Sequence, residues 1–271
     1  MDTMIIGIYC LCDDYLKSQG HQENKQRQLS DAEVMTIALV ASYYYGGNYS
    51  QARWMLQEYG YIRMKVSKGC YSKRLHRVRD EFLTLFRSIA SLQPPSPTYI
   101  IDSFPIVACD NIRIRRCSLY QGEAYRGYLA SKQRFFYGLR LHLLITATGQ
   151  PVEFFLVSGA SNDAGCLDLY DFDLPTPARI VADKGFTHYA LEDVLAPADI
   201  DLATLRKSNS ARPIPPWEAH LRRAQRRYIE TVGSLFNTFL PKHIHATSQL
   251  GFELKCVLFV LALSFHQLST L

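Results

Sequence analysis

The sequence has no CxxC pair, no strongly one-sided charge balance, no enrichment in glycine or proline, and no apolar run near the ~20 residues that cross a bilayer. Each absence removes a class of protein. The seven cysteines, at positions 10, 12, 70, 109, 117, 166 and 256, are odd in number and scattered, which excludes a disulfide scaffold and a zinc ribbon. Reduced thiols are the expectation, and Cys10 and Cys12 read as helix residues facing different directions rather than as ligands. Fifteen Gly and twelve Pro in 271 residues exclude collagen-like and low-complexity chains, and a mean hydropathy of −0.09 excludes wholesale disorder. Thirty Lys+Arg against 25 Asp+Glu give a net charge of +5, which permits a polyanionic partner without specifying one. No internal repeat is present. The first residues, Met1 to Gly7, carry an acid and no basic segment, and the late apolar run Cys256 to Leu263 is short, so neither a signal peptide nor a membrane span is expected.

What is present divides at Gln93-Pro94-Pro95-Ser96-Pro97, where three prolines in four residues stop a helix. Upstream the periodicity is helical. Ser30-Asp31-Ala32-Glu33 is a capping box opening Val34 to Val40, Gln51 to Tyr59 forms a second helix, and Tyr71 to Leu92 carries apolar residues at helical spacing. Downstream, β-rich runs occur at Thr98 to Ile101, Tyr137 to Thr146, Val152 to Val157, Arg179 to Ala182 and Ile200 to Leu205. Helical stretches fall between the later runs, at 163–170, 187–195 and 216–239. Three strands followed by alternating helices and strands predict an α/β domain, a mixed sheet covered by helices.

Acids placed directly after apolar strands are candidates for chemistry, because reactive side chains in such sheets lie at strand ends. Asp102 ends Thr98-Tyr99-Ile100-Ile101-Asp102-Ser103, and Asp183 ends Ala178-Arg179-Ile180-Val181-Ala182-Asp183-Lys184-Gly185-Phe186. Glu230 lies in the basic helix 216–239. Singly, each has an ordinary reading: a strand-end Asp caps the next turn, and Glu230 pairs with Arg226 or Arg227 at helical spacing. Jointly they fall on the first strand, the fourth strand and the last helix, which converge in a ribonuclease-H-like sheet.

The chain resembles the DDE transposases of bacterial insertion sequences, and is most similar to the 982-type insertion-sequence family. The resemblance is carried by Leu29-Ser30-Asp31-Ala32-Glu33-Val34, Ile101-Asp102-Ser103, Asp183-Lys184-Gly185-Phe186 and Arg227-Tyr228-Ile229-Glu230-Thr231, in this order over nearly the whole chain. Ala182, where a glycine is common, and Gly233, just after Glu230, depart from the pattern. The resemblance implies a helical DNA-recognition domain over 1–95, helix-turn-helix-like around Ser30 to Tyr59, and a ribonuclease-H-like catalytic domain over 96–271. It implies that Asp102, Asp183 and Glu230 are the catalytic, metal-binding acids, in a cytoplasmic, nucleoid-associated enzyme that works as a homodimer or larger assembly on the terminal inverted repeats and on target DNA.

Three carboxylates held together repel one another unless cations neutralise them, and hard oxygen donors suit Mg²⁺, with Mn²⁺ able to substitute. Two ions about 3.5–4 Å apart suit in-line phosphodiester transfer, with Asp102 bridging both and Asp183 and Glu230 each completing one site. Three basic stretches suit phosphate: 63–79 holds seven Lys/Arg and no acid, 113–140 seven against one acid, and 206–227 seven against one. Expected DNA contacts are Lys73, Arg74, Arg77, Lys184, Arg206, Lys207, Arg223, Arg226 and Arg227. Two alternatives stay open: a nuclease of this fold without strand joining, and a catalytically silent DNA-binding descendant. The final stretch, 252–268, is expected on the catalytic sheet or in a dimer contact, and Trp54 in the core of the N-terminal helices.

Overall fold

The computed structural model describes every residue except Lys25, Met64, Lys242, Thr270 and Leu271, and the side chain of Ser131. In chain order the elements begin with α1 (Asp2–Ser18), α2 (Asp31–Tyr44), α3 (Tyr49–Glu58), α4 (Lys68–Arg77), α5 (Arg79–Ser91), β1 (Thr98–Asp110), β2 (Arg126–Leu129), β3 (Arg134–Thr146) and β4 (Pro151–Ser158). They continue with β5 (Ala178–Ala182), α6 (Tyr189–Leu195), β6 (Ile200–Thr204), α7 (Pro216–Phe239) and α8 (Gln249–Ser269). Two compact units result: Met1–Ile89 with Phe236–Leu271, and Ala90–Leu235.

The helical unit is organised around α2. Its start is fixed by the capping box, in which the Glu33 N–H donates to Ser30 Oγ at 3.0 Å and the Ser30 N–H donates to the Glu33 carboxylate at 2.6 Å. A run from Val34 to Ala41 without an exposed residue makes α2 apolar on every side, so it needs cover on more sides than α1 and α3 supply. The C-terminal α8, together with α4, provides the rest; α8 is the larger part. It is buried almost continuously from Phe252 to Phe265 and packs on α2. The stretch expected on the catalytic sheet or in a dimer contact is therefore a core element of the helical unit, and residues 236–271 group with 1–89 rather than with the sheet. By length and composition α8 could also cross a bilayer, but 67% of its most apolar window is buried, the pattern of a core helix.

Other local expectations shift for physical reasons. The helix expected over Tyr71 to Leu92 is two helices, broken where Val78 leaves helical geometry (φ −94°, ψ 13°), with Asp80 and Glu81 favouring a new N-terminus. Trp54 is exposed on α3 rather than buried. Tyr43 packs against Phe239, and its hydroxyl lies 2.8 Å from His266 Nδ1.

The second unit is built on a six-stranded mixed sheet, order β2-β3-β1-β5-β6, with β4 also on β3. β3 runs antiparallel to β1, β2 and β4, whereas β1–β5 and β5–β6 are parallel. Three antiparallel strands continued by two parallel ones give the ribonuclease-H-like arrangement, flanked by helices. One sheet face carries a core of Tyr99, Ile101, Ile180, Ala182, Leu202 and their neighbours, with Phe186 and Leu195. Burying each large apolar side chain there contributes about 1.5–3 kcal/mol. β1 is longer than expected: it continues past Asp102 to Asp110, paired with β3 from Tyr99 to Asp110 apart from an irregularity between Val107 and Cys109, but with β5 only over Thr98–Ile100. Because that second edge opens after Ile100, Pro105 is tolerated within the strand. The helix expected over 163–170 is a short 3-10 segment, Ala164–Leu169.

Candidate active site

Alternation along β1 puts Tyr99 and Ile101 on the core face, and therefore Ile100, Asp102 and Phe104 on the other. On β5 the same alternation puts Ala178, Ile180 and Ala182 in the core and sends Asp183 to Asp102's face. The parallel register pairs Ile100 with Val181, so two further residues along each chain bring Asp102 and Asp183 level at the point where the strands part. Asp102 lies within a strand rather than at its end, because only β5 ends there.

α7 supplies the third acid. Ile229 and Val232 are buried, while Glu230 between them is 67% exposed. The helix is fastened at three points. Arg222, only 6% exposed, donates to the Thr204 carbonyl oxygen at 2.6 Å and pairs with Glu218. The Tyr228 hydroxyl donates to the Thr148 carbonyl at 2.9 Å. Gly233 lies against Phe104 so closely that a Cβ there would sit 2.5 Å from Phe104 Cε1.

Gly233, which departs from the family pattern, is thus a point of close approach between the helix and β1. Gly→Ala inside a helix ordinarily stabilises by ~1 kcal/mol. Gly233→Ala is expected to destabilise by about 1 kcal/mol instead, because the clash outweighs the propensity gain. Gly7→Ala in α1, where a Cβ meets nothing within 4 Å, is expected to stabilise, and urea unfolding of the two variants checks both signs.

The structure gathers the three acids around one guanidinium. Arg226 Nη2 lies 3.4 Å from Asp102 Oδ2 and 3.9 Å from Asp183 Oδ2, and Arg226 Nη1 lies 3.8 Å from Glu230 Oε1. Burial pushes the Asp102 carboxyl up to about 6; Arg226 and the Ser103 N–H pull it down, and Asp163 and Asp183 push it further up. Negative charge is thus concentrated in a place that water only partly reaches.

Asp163 is a charged neighbour of the site that sequence reasoning missed. It accepts a 2.7 Å hydrogen bond from Ser103 Oγ, which in turn accepts from Arg140 Nη1 at 3.1 Å. A Cβ on Gly185, two residues past Asp183, would lie 3.1 Å from Asp163 Oδ2. The side chain thus touches the residues that follow both strand acids. It sits in a loop after β4, where no strand-end signal marked it.

Behind this cluster, fully buried His142 stacks on Phe155 at 5.0 Å and lies 4.0 Å from Asp163. Burial, with Arg140 adding to it, lowers its pKa to about 4, against a pull upward from Asp163. Between pH 6.5 and 4 the unfolded chain binds a proton at this residue that the folded chain does not, so stability falls as pH falls through that window. Relative to His142→Leu, the wild type is expected to lose about 2 kcal/mol between pH 7.5 and pH 5, measured by denaturant unfolding. Asp102 titrates in the opposite sense in both proteins, so the difference between them isolates His142.

The expected DNA contacts separate into two groups. Lys73, Arg77, Lys184, Lys207, Arg223 and Arg227 are exposed. Arg206 is held by Glu192 through two hydrogen bonds of 2.6 and 2.7 Å, and Arg74 is committed to Asp31 and the Leu29 carbonyl. Phosphate contact by Arg74 and Arg206 does not fit this placement, since both guanidinium groups are mostly buried and paired with acids inside the fold. Arg226 faces carboxylates. In the helical unit, ligand atoms of His21, Glu23 and Asp31 lie within 4.8 Å of one another. Arg27 and Arg74 already pair with those carboxylates, which makes the group a salt-bridge network.

The model of the family described as "Transposase DDE domain" matches residues 95–246, a span containing all three acids. No curated protein sequence matches the chain. Among solved structures, a piggyBac transposase synaptic complex with hairpin DNA aligns over 99% of this chain at 11% identity and TM-score 0.44; the chain spans 66% of that chain's length. A Mos1 transposase paired-end complex with the left transposon end aligns over 88% of this chain and 77% of that one, at 11% identity and TM-score 0.26.

Proposed function

From the premise that the chain belongs to the transposase DDE domain family, we propose that it cuts phosphodiester bonds at transposon ends and joins the freed 3′-hydroxyl to target DNA, using Asp102, Asp183 and Glu230. The observation that carries this reading is the meeting of the three carboxylates on one cation, the Arg226 guanidinium. The narrower likeness to the 982-type insertion sequences rests on the motifs alone.

The donor set fits divalent metal: three carboxylates, no thiol or imidazole among them, and a carboxylate at Asp102 whose charge burial and like charge disfavour in the absence of a cation. Mg²⁺ or Mn²⁺ held by these residues would supply charge neutralisation and activation of an oxygen nucleophile at neutral pH. The protein's own part is positioning. β1 and β5 fix two carboxylates side by side on a rigid sheet, and α7, fastened by Arg222, Tyr228 and Gly233, brings the third.

Exposed Arg223 and Arg227 on α7, with Lys184 next to Asp183, neutralise the phosphates that flank the scissile bond. In the displacement, an oxygen of water or of a 3′-hydroxyl bonds to phosphorus as the bond to the departing 3′-oxygen breaks; no bond to the protein forms. Lys73 and Arg77, four apart on α4, give the helical unit a basic face for duplex DNA, and two copies acting on two ends account for assembly on DNA.

A labelled duplex carrying the DNA that flanks this coding sequence, incubated with a target plasmid and Mg²⁺ or Mn²⁺, tests the proposal. Metal-dependent 3′-hydroxyl ends that become joined to the plasmid are the expected products. Cleavage without joining identifies a nuclease, and binding without either identifies the silent descendant.

A further inference from the structure

Arginines in the sheet unit are held in two distinct ways. Arg206 grips Glu192 at 2.6 and 2.7 Å, and Arg212 grips Asp193 at 2.7 and 2.8 Å, the two-pronged geometry of a settled ion pair. Arg226 grips nothing in this way. Its nearest carboxylate oxygens, at 3.4, 3.8 and 3.9 Å, belong to three different residues. One positive charge thus faces three carboxylates without the short hydrogen bonds that would lock it there. A divalent cation brings twice the charge in a far smaller volume and can bond the same oxygens directly, whereas the guanidinium cannot approach all three at once.

We propose that Arg226 is a resident counter-cation that occupies the acidic site until metal enters, and that its release toward DNA couples the binding of metal to the binding of DNA. This rests on the reading of the three acids as the metal site. Exposed Arg223 and Arg227 on the same helix draw phosphate to this side, giving the displaced guanidinium an anion to meet. The free protein then binds divalent cation weakly, because entry requires expelling Arg226 into water. DNA-bound protein binds it more tightly, because a phosphate receives the displaced charge. By linkage the metal tightens DNA by the same factor. An enzyme built so acquires its full ion complement chiefly on DNA.

Free Mn²⁺, counted by electron paramagnetic resonance in titrations of the full chain with and without a 20-base-pair duplex, tests this. Wild type is expected to bind Mn²⁺ at least about tenfold more tightly with the duplex present. Arg226→Gln is expected to bind Mn²⁺ about tenfold more tightly than wild type in the absence of DNA, and to gain less than about threefold from the duplex. Arg226→Met, which keeps the apolar stem, is to give the same order, and cooperative unfolding of both variants verifies their folding. Arg226 variants that bind Mn²⁺ no better than wild type without DNA, or that keep the wild-type gain from the duplex, overturn the proposal. Asp102→Asn separates the two levels: if it weakens Mn²⁺ binding while the Arg226 variants behave as wild type, only the counter-cation role falls. If it leaves Mn²⁺ binding unchanged, the metal-site reading falls and this inference with it.

Discussion

Asp183→Ala is expected to lower metal-dependent DNA cleavage by about 10³-fold or more, equivalent to ~4 kcal/mol of transition-state stabilisation, while leaving affinity for duplex DNA, measured without divalent cation, within about threefold. The size follows from the site's construction. Among the described residues Asp183 is one of three carboxylates within 4 Å of the Arg226 guanidinium, and it stands at the end of a strand whose preceding residues, Ile180 to Ala182, are buried and apolar, so the strand offers no second carboxylate in its place. DNA affinity survives because the exposed basic residues are elsewhere, on α4, after β5 and on α7. Asp102→Asn and Glu230→Gln are expected to match this loss. Combining two of the three should cost little more than one, since the carboxylates act as a unit. Single-turnover cleavage with filter-binding controls reads both quantities. Three independent, additive losses of tenfold or less would show that the acids do not form one centre.

Arg222→Ala is expected to destabilise the sheet unit by about 3 kcal/mol and to reduce cleavage, although Arg222 touches none of the three acids. Its guanidinium is buried, donates to the Thr204 carbonyl at the end of β6, and pairs with Glu218 one turn earlier on α7. Truncation leaves that carbonyl without its partner and leaves Glu218 with only the more exposed Arg179, at 3.2 Å. It also unfastens the first turns of the helix that carries Arg226 and Glu230. Arg222→Met, which refills the space without a charge, is expected to recover part of the stability. Urea unfolding monitored by Trp217 fluorescence and circular dichroism distinguishes the two variants.

Much of this site was legible in the sequence because strands and basic helices leave strong local signals. The β-branched runs before Asp102 and Asp183 marked both strands, and the bounds 216–239 emerged unchanged as α7. The length of β1 was not legible, because continuation past Asp102 depends on pairing with β3, which lies more than thirty residues away in the chain. Asp163 escaped for a related reason: its importance comes from Ser103, Arg140 and Gly185, three partners that only the folded sheet brings together.

Charge counting gave the right totals and the wrong roles for some members. Arg74, Arg206 and Arg222 lie in one-sided basic stretches, yet acids distant in sequence, or one turn away in the case of Glu218, consume their donors. The same limit applied to α8. Its apolar composition announced burial, but only the all-round apolar surface of α2 determined which unit would bury it.

The most direct test of the central claim is anomalous X-ray scattering from crystals of the chain grown with duplex DNA and soaked in Mn²⁺. The predicted result is anomalous density bounded by the carboxylates of Asp102, Asp183 and Glu230, absent when Asp183 is replaced by alanine. Density confined to other groups, such as His21, Glu23 and Asp31, with Arg226 still seated among the three acids, would contradict it.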